Sequence, residues 1–307
     1  MFLQLKKTDI GYKTPLIKGV ETSLKLGEVC LLIGNNGVGK TTLIKSILNQ
    51  IPVLDGEIFL NRKNIKILSS KEIAEQIAIV FSKSQVPANY TLNDLISLGK
   101  YIHYPYYFEL NDSDRQEVDE IIESLNLNQY KDFQLQKLSD GNLQKAFIGR
   151  ALAQNSPFII LDEPTTHLDE ENKIIILKLL RNLAKKQNKL ILFSSHDWRL
   201  AKEFSDKIWL VNDGKLDAGI TEEILLKHHE ILSPRLFQVN ENFIPPQIFA
   251  SDLEKEMLYS FLQKNFKKNL SYLKVEFKQV FWEISSDYFQ EKCASFEEIA
   301  HLIENHH

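Results

Sequence analysis

The feature that most limits what this chain can fold into is a glycine-rich run at residues 34–42, which reads Gly-Asn-Asn-Gly-Val-Gly-Lys-Thr-Thr. A short apolar segment, residues 29–33, precedes the run, and Leu43, Ile44 and Ile47 follow it at helical spacing. Strand, glycine-rich loop and helix in this order are the context in which the pattern G-x-x-x-x-G-K-[ST] forms a P-loop. The run therefore predicts a binding site for a nucleoside triphosphate.

The chemistry of a P-loop assigns roles to individual residues in this run. Glycines let backbone N–H groups turn inward and cradle phosphate oxygens, and the start of the helix adds partial positive charge. Lys40 is expected to reach the β- and γ-phosphates, and the Thr41 hydroxyl is expected to coordinate Mg²⁺. The predicted nucleotide-binding residues in the run are Asn35, Asn36, Gly37, Val38, Gly39, Lys40, Thr41 and Thr42.

Composition argues against several other classes of protein. The 307 residues suffice for one large or two modest domains. A net charge of -4 and an isoelectric point near 6.1 give no basic footprint for nucleic acid. We recognise neither an apolar run of membrane-spanning length nor a signal peptide, so we expect a chain that is not exported. Cys30 and Cys293 fit a reducing compartment, with Cys30 as a small buried hydrophobe.

A second buried strand is predicted before two carboxylates, at residues 158–163, Phe-Ile-Ile-Leu-Asp-Glu. An acidic residue at the end of such a strand holds the Mg²⁺ water shell in P-loop proteins, which indicates Asp162. Glu163 is placed to orient and deprotonate a water that attacks the γ-phosphate. A third apolar run, residues 190–193, leads to His196, which could hydrogen-bond the γ-phosphate or be a structural histidine.

The stretch from residue 82 to about 150 has a different character, with helices and long polar loops. Capping-box patterns at residues 69–72 and 91–94 indicate helix starts. Residues 101–108, Tyr-Ile-His-Tyr-Pro-Tyr-Tyr-Phe, are unusually aromatic. They are expected either to pack locally or to form a contact surface for another protein, since tyrosine is favoured at interfaces.

Taken in order, these motifs resemble those of the nucleotide-binding subunit of ATP-binding cassette (ABC) transporters, over about residues 1–240. Residues 34–42 look like Walker A and residues 158–163 like Walker B. Residues 138–142, Leu-Ser-Asp-Gly-Asn, are similar to the family signature L-S-G-G-Q. Residues 166–169 resemble the D-loop, in which Asp169 is expected to take part in nucleotide binding. His196 matches the switch histidine, and Tyr12 takes the adenine-stacking position.

The resemblance implies a fold and a set of partners. The fold is α/β: a P-loop NTPase core of the ABC type with an antiparallel β subdomain and a helical subdomain at about residues 83–150. It implies ATP and Mg²⁺, with Lys40, Glu163 and His196 as catalytic residues. Two subunits pair head to tail, so that Ser139 and Gly141 of one contact the γ-phosphate held by the other, and a homodimer is expected.

Further partners follow from the same resemblance. They are integral-membrane permease subunits and, indirectly, a periplasmic or surface substrate-binding protein, but no nucleic acid. The expected location is the cytoplasmic face of the cell membrane, as a peripheral subunit.

Two departures from the family pattern matter. The signature has Asp140 and Asn142 where glycine and glutamine are usual, while Ser139 and Gly141 are kept. The Q-loop glutamine is replaced by Ser82, and Gln85 lies three residues further on. Either residue could serve at the Mg²⁺ shell; we favour Ser82, because the following segment aligns without an insertion.

The segment at residues 91–101 and its aromatic continuation look like importers of iron-siderophores, haem and cobalamin. Zinc and manganese importers share much of the pattern and remain an alternative. A soluble ABC protein acting on ribosomes or DNA normally has two cassettes or a long coiled-coil insertion, and neither is visible. Residues 241–307 lie beyond the resemblance and read as a small α+β appendage, with a helix, a pair of strands and a second helix.

Overall fold

The computed structural model describes the following parts of the chain: residues 1–81, 89–104, 109–196, 198–228 and 242–305. The chain divides into two compact units, Met1–Leu226 and Lys227–His307, and each is described by itself. The boundary predicted at residue 240 lies outside the described residues and stays a prediction.

The strands of the described residues are, in chain order, β1 (Leu3–Gly11), β2 (Pro15–Leu24), β3 (Val29–Ile33), β4 (Asp55–Leu60), β5 (Lys63–Asn64), β6 (Ile77–Val80), β7 (Phe158–Leu161), β8 (Leu190–Ser194), β9 (Lys207–Asn212), β10 (Lys215–Ile220), β11 (Gln247–Phe249), β12 (Lys274–Lys278), β13 (Phe281–Ser285) and β14 (Gln290–Cys293).

The α-helices of the same residues are α1 (Lys40–Ile47), α2 (Ser70–Gln76), α3 (Leu92–Ser97), α4 (Asp112–Ser124), α5 (Asp140–Ala153), α6 (Glu170–Gln187), α7 (Trp198–Ala201), α8 (Thr221–Lys227), α9 (Asp252–Asn265) and α10 (Phe296–Asn305). Short 3₁₀ helices occur at Ile65–Ile67, Leu98–His103, Asn128–Tyr130, Leu135–Lys137 and Lys202–Phe204.

The larger unit is built on a six-stranded sheet, formed by described residues, in the order β10-β9-β3-β8-β7-β6. Its strands run parallel except for β10, which pairs antiparallel with β9. Every residue of β3, β7 and β8 is buried, as expected for parallel strands covered on both faces. Because the carboxyl ends of parallel strands meet at one edge, the P-loop, the two carboxylates and His196 converge there.

A second, antiparallel sheet has the order β2-β1-β4-β5. Its apolar residues share one core with α1 and the parallel sheet, including Leu3, Leu5, Leu43 and Trp209. The N–H of Lys18 in β2 donates to the carbonyl oxygen of Gly214 at 2.9 Å, which joins β2 to the β9–β10 turn. This contact brings the start of β2 to the P-loop edge of the parallel sheet.

Between β6 and β7, the described residues form the helices α3, α4 and α5 and several short 3₁₀ helices. Both predicted capping boxes are present, with Ser69 before α2 and Thr91 before α3. Side chains at the C-terminal end of α5 donate to carbonyl oxygens of the edge strand β6: Arg150 Nη2 to Ile79 at 3.1 Å, and Nε2 of the C-cap residue Gln154 to Ile77 at 3.0 Å. The helix that begins with the signature is therefore fixed at its far end to the parallel sheet.

The smaller unit contains a sheet in the order β11-β12-β13-β14, and α9 and α10 pack against each other. Its own core includes Leu258, Leu262, Trp282 and Ile299. The predicted helix, strand pair and helix are present, and β11 and β14 were not predicted. No helix in the described part of the chain is long and apolar enough to cross a membrane.

Candidate functional site

The glycine-rich run forms a tight loop between β3 and α1. Gly34 has φ 153° and Gly39 has φ 109°, conformations that side-chain-bearing residues rarely adopt. A Cβ on Gly34 would lie 2.5 Å from the carbonyl oxygen of Val211 on β9. Both positions therefore require glycine, and the strand, loop and helix predicted from the sequence are present.

Lys40 folds back over the loop at the first position of α1. Its Nζ donates to the carbonyl oxygens of Gly34 at 2.8 Å and Asn35 at 3.0 Å. Burial lowers the pKa of the Lys40 ammonium, and the negative charges of Glu163 and Asp162 oppose that shift. A buried cation thus lies within the electrostatic reach of both predicted carboxylates.

Asp162 directly follows β7 and is buried. Its N–H donates to the carbonyl oxygen of Val80 at 2.8 Å, and its Oδ1 accepts a hydrogen bond from the Ser194 hydroxyl at 2.8 Å. Ser194 ends β8, and the sequence analysis did not single it out. Its signal was weak, because a serine at a strand end has many ordinary roles.

Glu163 is the focus of several contacts. Its carboxylate oxygen Oε1 contacts Nε2 of His196, and Oε2 accepts a hydrogen bond from the Thr166 hydroxyl at 3.2 Å. Its N–H donates to Ser194 Oγ at 2.9 Å. The residue has φ 55°, in the left-handed region. Carboxylate and histidine, separate in the sequence, are therefore paired at the P-loop edge of the sheet.

An open cleft lies over the P-loop. The residues that line it are Leu16, Asn36, Gly37, Gly39, Lys40, Thr41, Thr42 and Glu163. Leu16 is a lining residue that sequence reasoning missed; it enters because β2 starts beside Gly39. Tyr12, on the turn before β2, is 61% exposed and does not line the cleft, so its adenine-stacking role stays a prediction.

The predicted signature and D-loop residues lie at helix starts. Ser139 is the exposed N-cap of α5, and its Oγ accepts from the Asn142 N–H at 3.4 Å. Asp169 caps α6 through a 2.8 Å bond from the Asn172 N–H. A Cβ on Gly141 would lie 2.9 Å from Asn172 Oδ1. The signature helix and the D-loop helix therefore touch within one subunit, and the cleft lining includes no signature residue.

Some predicted residues lie outside the described part of the chain. These are Ser82 and Gln85 of the Q-loop and residues 105–108 of the aromatic run. Within the run, Tyr104 packs locally, since its hydroxyl donates to Asp114 on α4, while Tyr101 is 50% exposed. Among described residues, no group of three or more histidine, cysteine or acidic side chains could hold a metal by itself.

A P-loop after a central parallel strand, with carboxylates and a histidine at the ends of neighbouring strands, defines a P-loop nucleoside triphosphatase. Residues 17–166 match the ABC transporter family. The chain is 32% identical over 253 residues to the iron(3+)-hydroxamate import ATP-binding protein FhuC of Bacillus subtilis, covering 82% of this chain and 89% of that protein. The chain therefore belongs to the ABC transporter family and is an ATP-binding, ATP-hydrolysing cassette.

Two further comparisons agree. The chain is 31% identical over 225 residues to the petrobactin import ATP-binding protein FpuD of Bacillus anthracis, covering 73% of this chain and 82% of that protein. The dimeric structure of MJ0796, a bacterial ABC transporter cassette, matches with a TM-score of 0.63 at 25% identity, covering 71% of this chain and 98% of that one. The predicted family and fold are confirmed.

Proposed function

We propose that this chain is the ATP-hydrolysing subunit of an importer that takes up an iron-siderophore, haem or cobalamin-type substrate through a separate permease. The observation that carries the substrate class is the likeness to ATP-binding proteins for the import of iron(3+)-hydroxamate and petrobactin. The observation that carries the enzymatic role is the pairing of Glu163 with His196 beside the P-loop.

In this proposal, ATP binds with its phosphates in the P-loop. Lys40 exchanges the carbonyl oxygens of Gly34 and Asn35 for β- and γ-phosphate oxygens, which offer the buried ammonium a full counter-charge. Loop N–H groups and the start of α1 hold the remaining phosphate charge. Leu16 offers an apolar contact at the cleft wall, and Tyr12 stacks on adenine.

Thr41 and Asp162 are the residues that would hold Mg²⁺. A hydroxyl, a carboxylate and phosphate oxygens form the all-oxygen set that this ion prefers, and the charge of Asp162 already acts on Lys40. Mg²⁺ held by these residues would neutralise the charge that develops on the phosphates. Ser82 or Gln85 would complete its surroundings.

Glu163 acts as the general base in the proposed reaction. A water attacks the γ-phosphorus, its proton passes to the Glu163 carboxylate, and the bond from the γ-phosphorus to the bridging oxygen breaks to give ADP and phosphate. His196 holds Oε1 of the base and Thr166 holds Oε2, so the carboxylate has a fixed orientation. A base held in one orientation within reach of the attacking water lowers the entropic cost of the step.

The working form is a homodimer in which each ATP is bound between two copies. Ser139, exposed at the start of α5, and the backbone of Gly141 in the first turn supply the second half of the site, since neither lines the cleft over its own P-loop. Asp169, at the start of α6, takes part in nucleotide binding at the same interface. The permease binds on the helical segment, with exposed Tyr101 as one contact, so that the subunit is peripheral at the cytoplasmic face.

Reconstitution of the chain with its permease and substrate-binding protein tests the proposal. Proteoliposomes with ATP inside should accumulate a radioactive ferric hydroxamate, and the Glu163→Gln chain should accumulate almost none. Parallel vesicles receive labelled zinc or manganese. ATP-driven zinc or manganese uptake without uptake of the chelate would instead establish the alternative importer class.

A further inference from the structure

The two acidic residues of the catalytic site, Asp162 and Glu163, share one hydrogen-bond partner that belongs to no motif in the sequence analysis. Ser194 is 0% exposed at the end of β8. The Ser194 hydroxyl donates to Asp162 Oδ1 at 2.8 Å, and its oxygen Oγ accepts a hydrogen bond from the Glu163 N–H at 2.9 Å. One buried oxygen atom therefore connects the carboxylate proposed for Mg²⁺ with the backbone of the proposed general base.

Sheet register explains why this serine reaches both residues. Leu161 of β7 pairs with Phe193 of β8, so the next residues on the two strands, Asp162 and Ser194, are neighbours. The Glu163 N–H can only donate, so the single hydroxyl proton of Ser194 is left for the carboxylate. The hydroxyl thus satisfies both groups at once with a fixed proton direction.

Glu163 needs such a constraint. Its φ of 55° lies in a region that residues with a Cβ rarely occupy without outside support. The hydrogen bond from its N–H to Ser194 helps to fix this backbone, and the backbone in turn aims the side chain at His196 and Thr166. Loss of the Ser194 hydroxyl would leave that N–H without this buried partner.

We propose that Ser194 is a positioning residue for ATP hydrolysis, which sets Asp162 and Glu163 in one mutual geometry. The inference rests on the roles proposed above for these two carboxylates. Ser194 touches neither nucleotide nor attacking water; it acts through the side chain of Asp162 and the backbone of Glu163. Residues that orient the direct partners of a metal or a reacting group commonly change affinity or turnover by about 10- to 100-fold.

Ser194→Ala tests the proposal, with Ser46→Ala as the matched control. Ser46 is as well buried, and its hydroxyl has no hydrogen-bond partner in the described structure. Ser194→Ala should lower kcat by about 10- to 100-fold and change the KM for ATP by less than about threefold. Ser46→Ala should keep the wild-type kcat. A Ser194→Ala protein with wild-type kcat would overturn the proposal.

A second readout does not depend on turnover. Tm is measured without nucleotide, with ADP and EDTA, and with ADP and Mg²⁺. Because Asp162 loses the hydrogen bond that orients it, Ser194→Ala should keep the rise caused by ADP alone and lose most of the additional rise caused by Mg²⁺. An unchanged Mg²⁺ increment would show that Ser194 does not position Asp162 and would contradict the proposal.

Two further variants make the result unambiguous. Ser194→Thr keeps the hydroxyl and should recover most of kcat, whereas Ser194→Cys, of similar size with a weak S–H donor, should not. If Ser194→Ala does not fold, the comparison of threonine with cysteine decides, and equal kcat values would overturn the proposal. Glu163→Gln separates failure of the proposed function from failure of the Ser194 proposal. If Glu163→Gln keeps full turnover, the general-base assignment itself is wrong. If Ser194→Ala has wild-type kcat and Glu163→Gln is inactive, the positioning role of Ser194 is wrong and the general-base role of Glu163 stands.

Discussion

Two serines of this cassette occupy opposite physical environments. Ser194 is fully buried; its hydroxyl donates to the Asp162 carboxylate at 2.8 Å and accepts the backbone N–H of Glu163 at 2.9 Å. Ser139, in the signature, is exposed and caps its helix through a bond of 3.4 Å. The first lies beside Asp162 and Glu163, both of which have hydrogen-bond partners within one subunit. The second presents its hydroxyl and its helix start to solvent.

The difference shows which half of the ATP site a single subunit builds. The P-loop half is organised by contacts within one subunit, with Lys40 on loop carbonyls and Glu163 on His196 and Thr166. The signature half contributes nothing to the lining of the same cleft. Substitutions in the P-loop half should therefore change the rate of the hydrolysis step itself. Substitutions in the signature half should change how well two subunits complete the ATP site.

The largest expected effect is in the organised half. Glu163→Gln should lower kcat by about 10²-fold or more, because it removes the general base, while ATP still binds. The variant should accumulate as an ATP-bound dimer, visible as a doubled mass in size-exclusion chromatography with light scattering. If Glu163→Gln turned over near the wild-type rate, Glu163 would not be the general base, and the P-loop half would contribute only by positioning, like the signature half.

An intermediate effect is expected where the signature helix meets the D-loop helix. Gly141→Ala places a Cβ 2.9 Å from Asn172 Oδ1, and such overpacking typically costs about 1–3 kcal/mol. Turnover should fall about 10-fold with little change in ATP affinity. Asn172→Ala makes space, so it should be near wild type alone and should restore the double variant. Equal turnover of Gly141→Ala with and without Asn172→Ala would show that this contact is unimportant.

The smallest effect concerns the altered Q-loop. If Ser82 meets the Mg²⁺ shell, Ser82→Ala should raise the Mg²⁺ concentration for half-maximal hydrolysis several-fold, less than the about 10- to 100-fold typical of residues that orient metal ligands. Gln85→Ala should raise it less. The opposite ranking, measured by titration of Mg²⁺ at saturating ATP, would assign the role to Gln85.

Local patterns were sufficient to predict the P-loop, the Walker B strand and both capping boxes. Each is encoded within about ten consecutive residues, where hydrophobic period and glycine placement decide the structure. Ser194 was missed because its partners lie 31 and 32 residues away in sequence and become neighbours only through the pairing of β7 with β8. Leu16 was missed for the same kind of reason, because β2 is distant from the P-loop in sequence and lies beside it only in the folded chain.

In the smaller unit, the helices and the β12–β13 pair follow the predicted pattern, whereas β14 does not. Its sequence, Gln-Glu-Lys-Cys, has one buried residue and no apolar alternation, so its strand conformation comes from pairing with β13. Strand β11 has only three residues. Charged or very short edge strands are hard to predict from local sequence, because pairing with a neighbouring strand determines their conformation.

The most direct test of a site shared between two copies is complementation between two inactive variants. Lys40→Ala removes the phosphate-binding cation, and Ser139→Arg puts a bulky side chain at the exposed signature. Mixed one to one, half of the random dimers combine both chains and contain one intact site, so about one quarter of wild-type activity should return. If each ATP site lay within one chain, the mixture would stay as inactive as either variant, and that result would contradict the account.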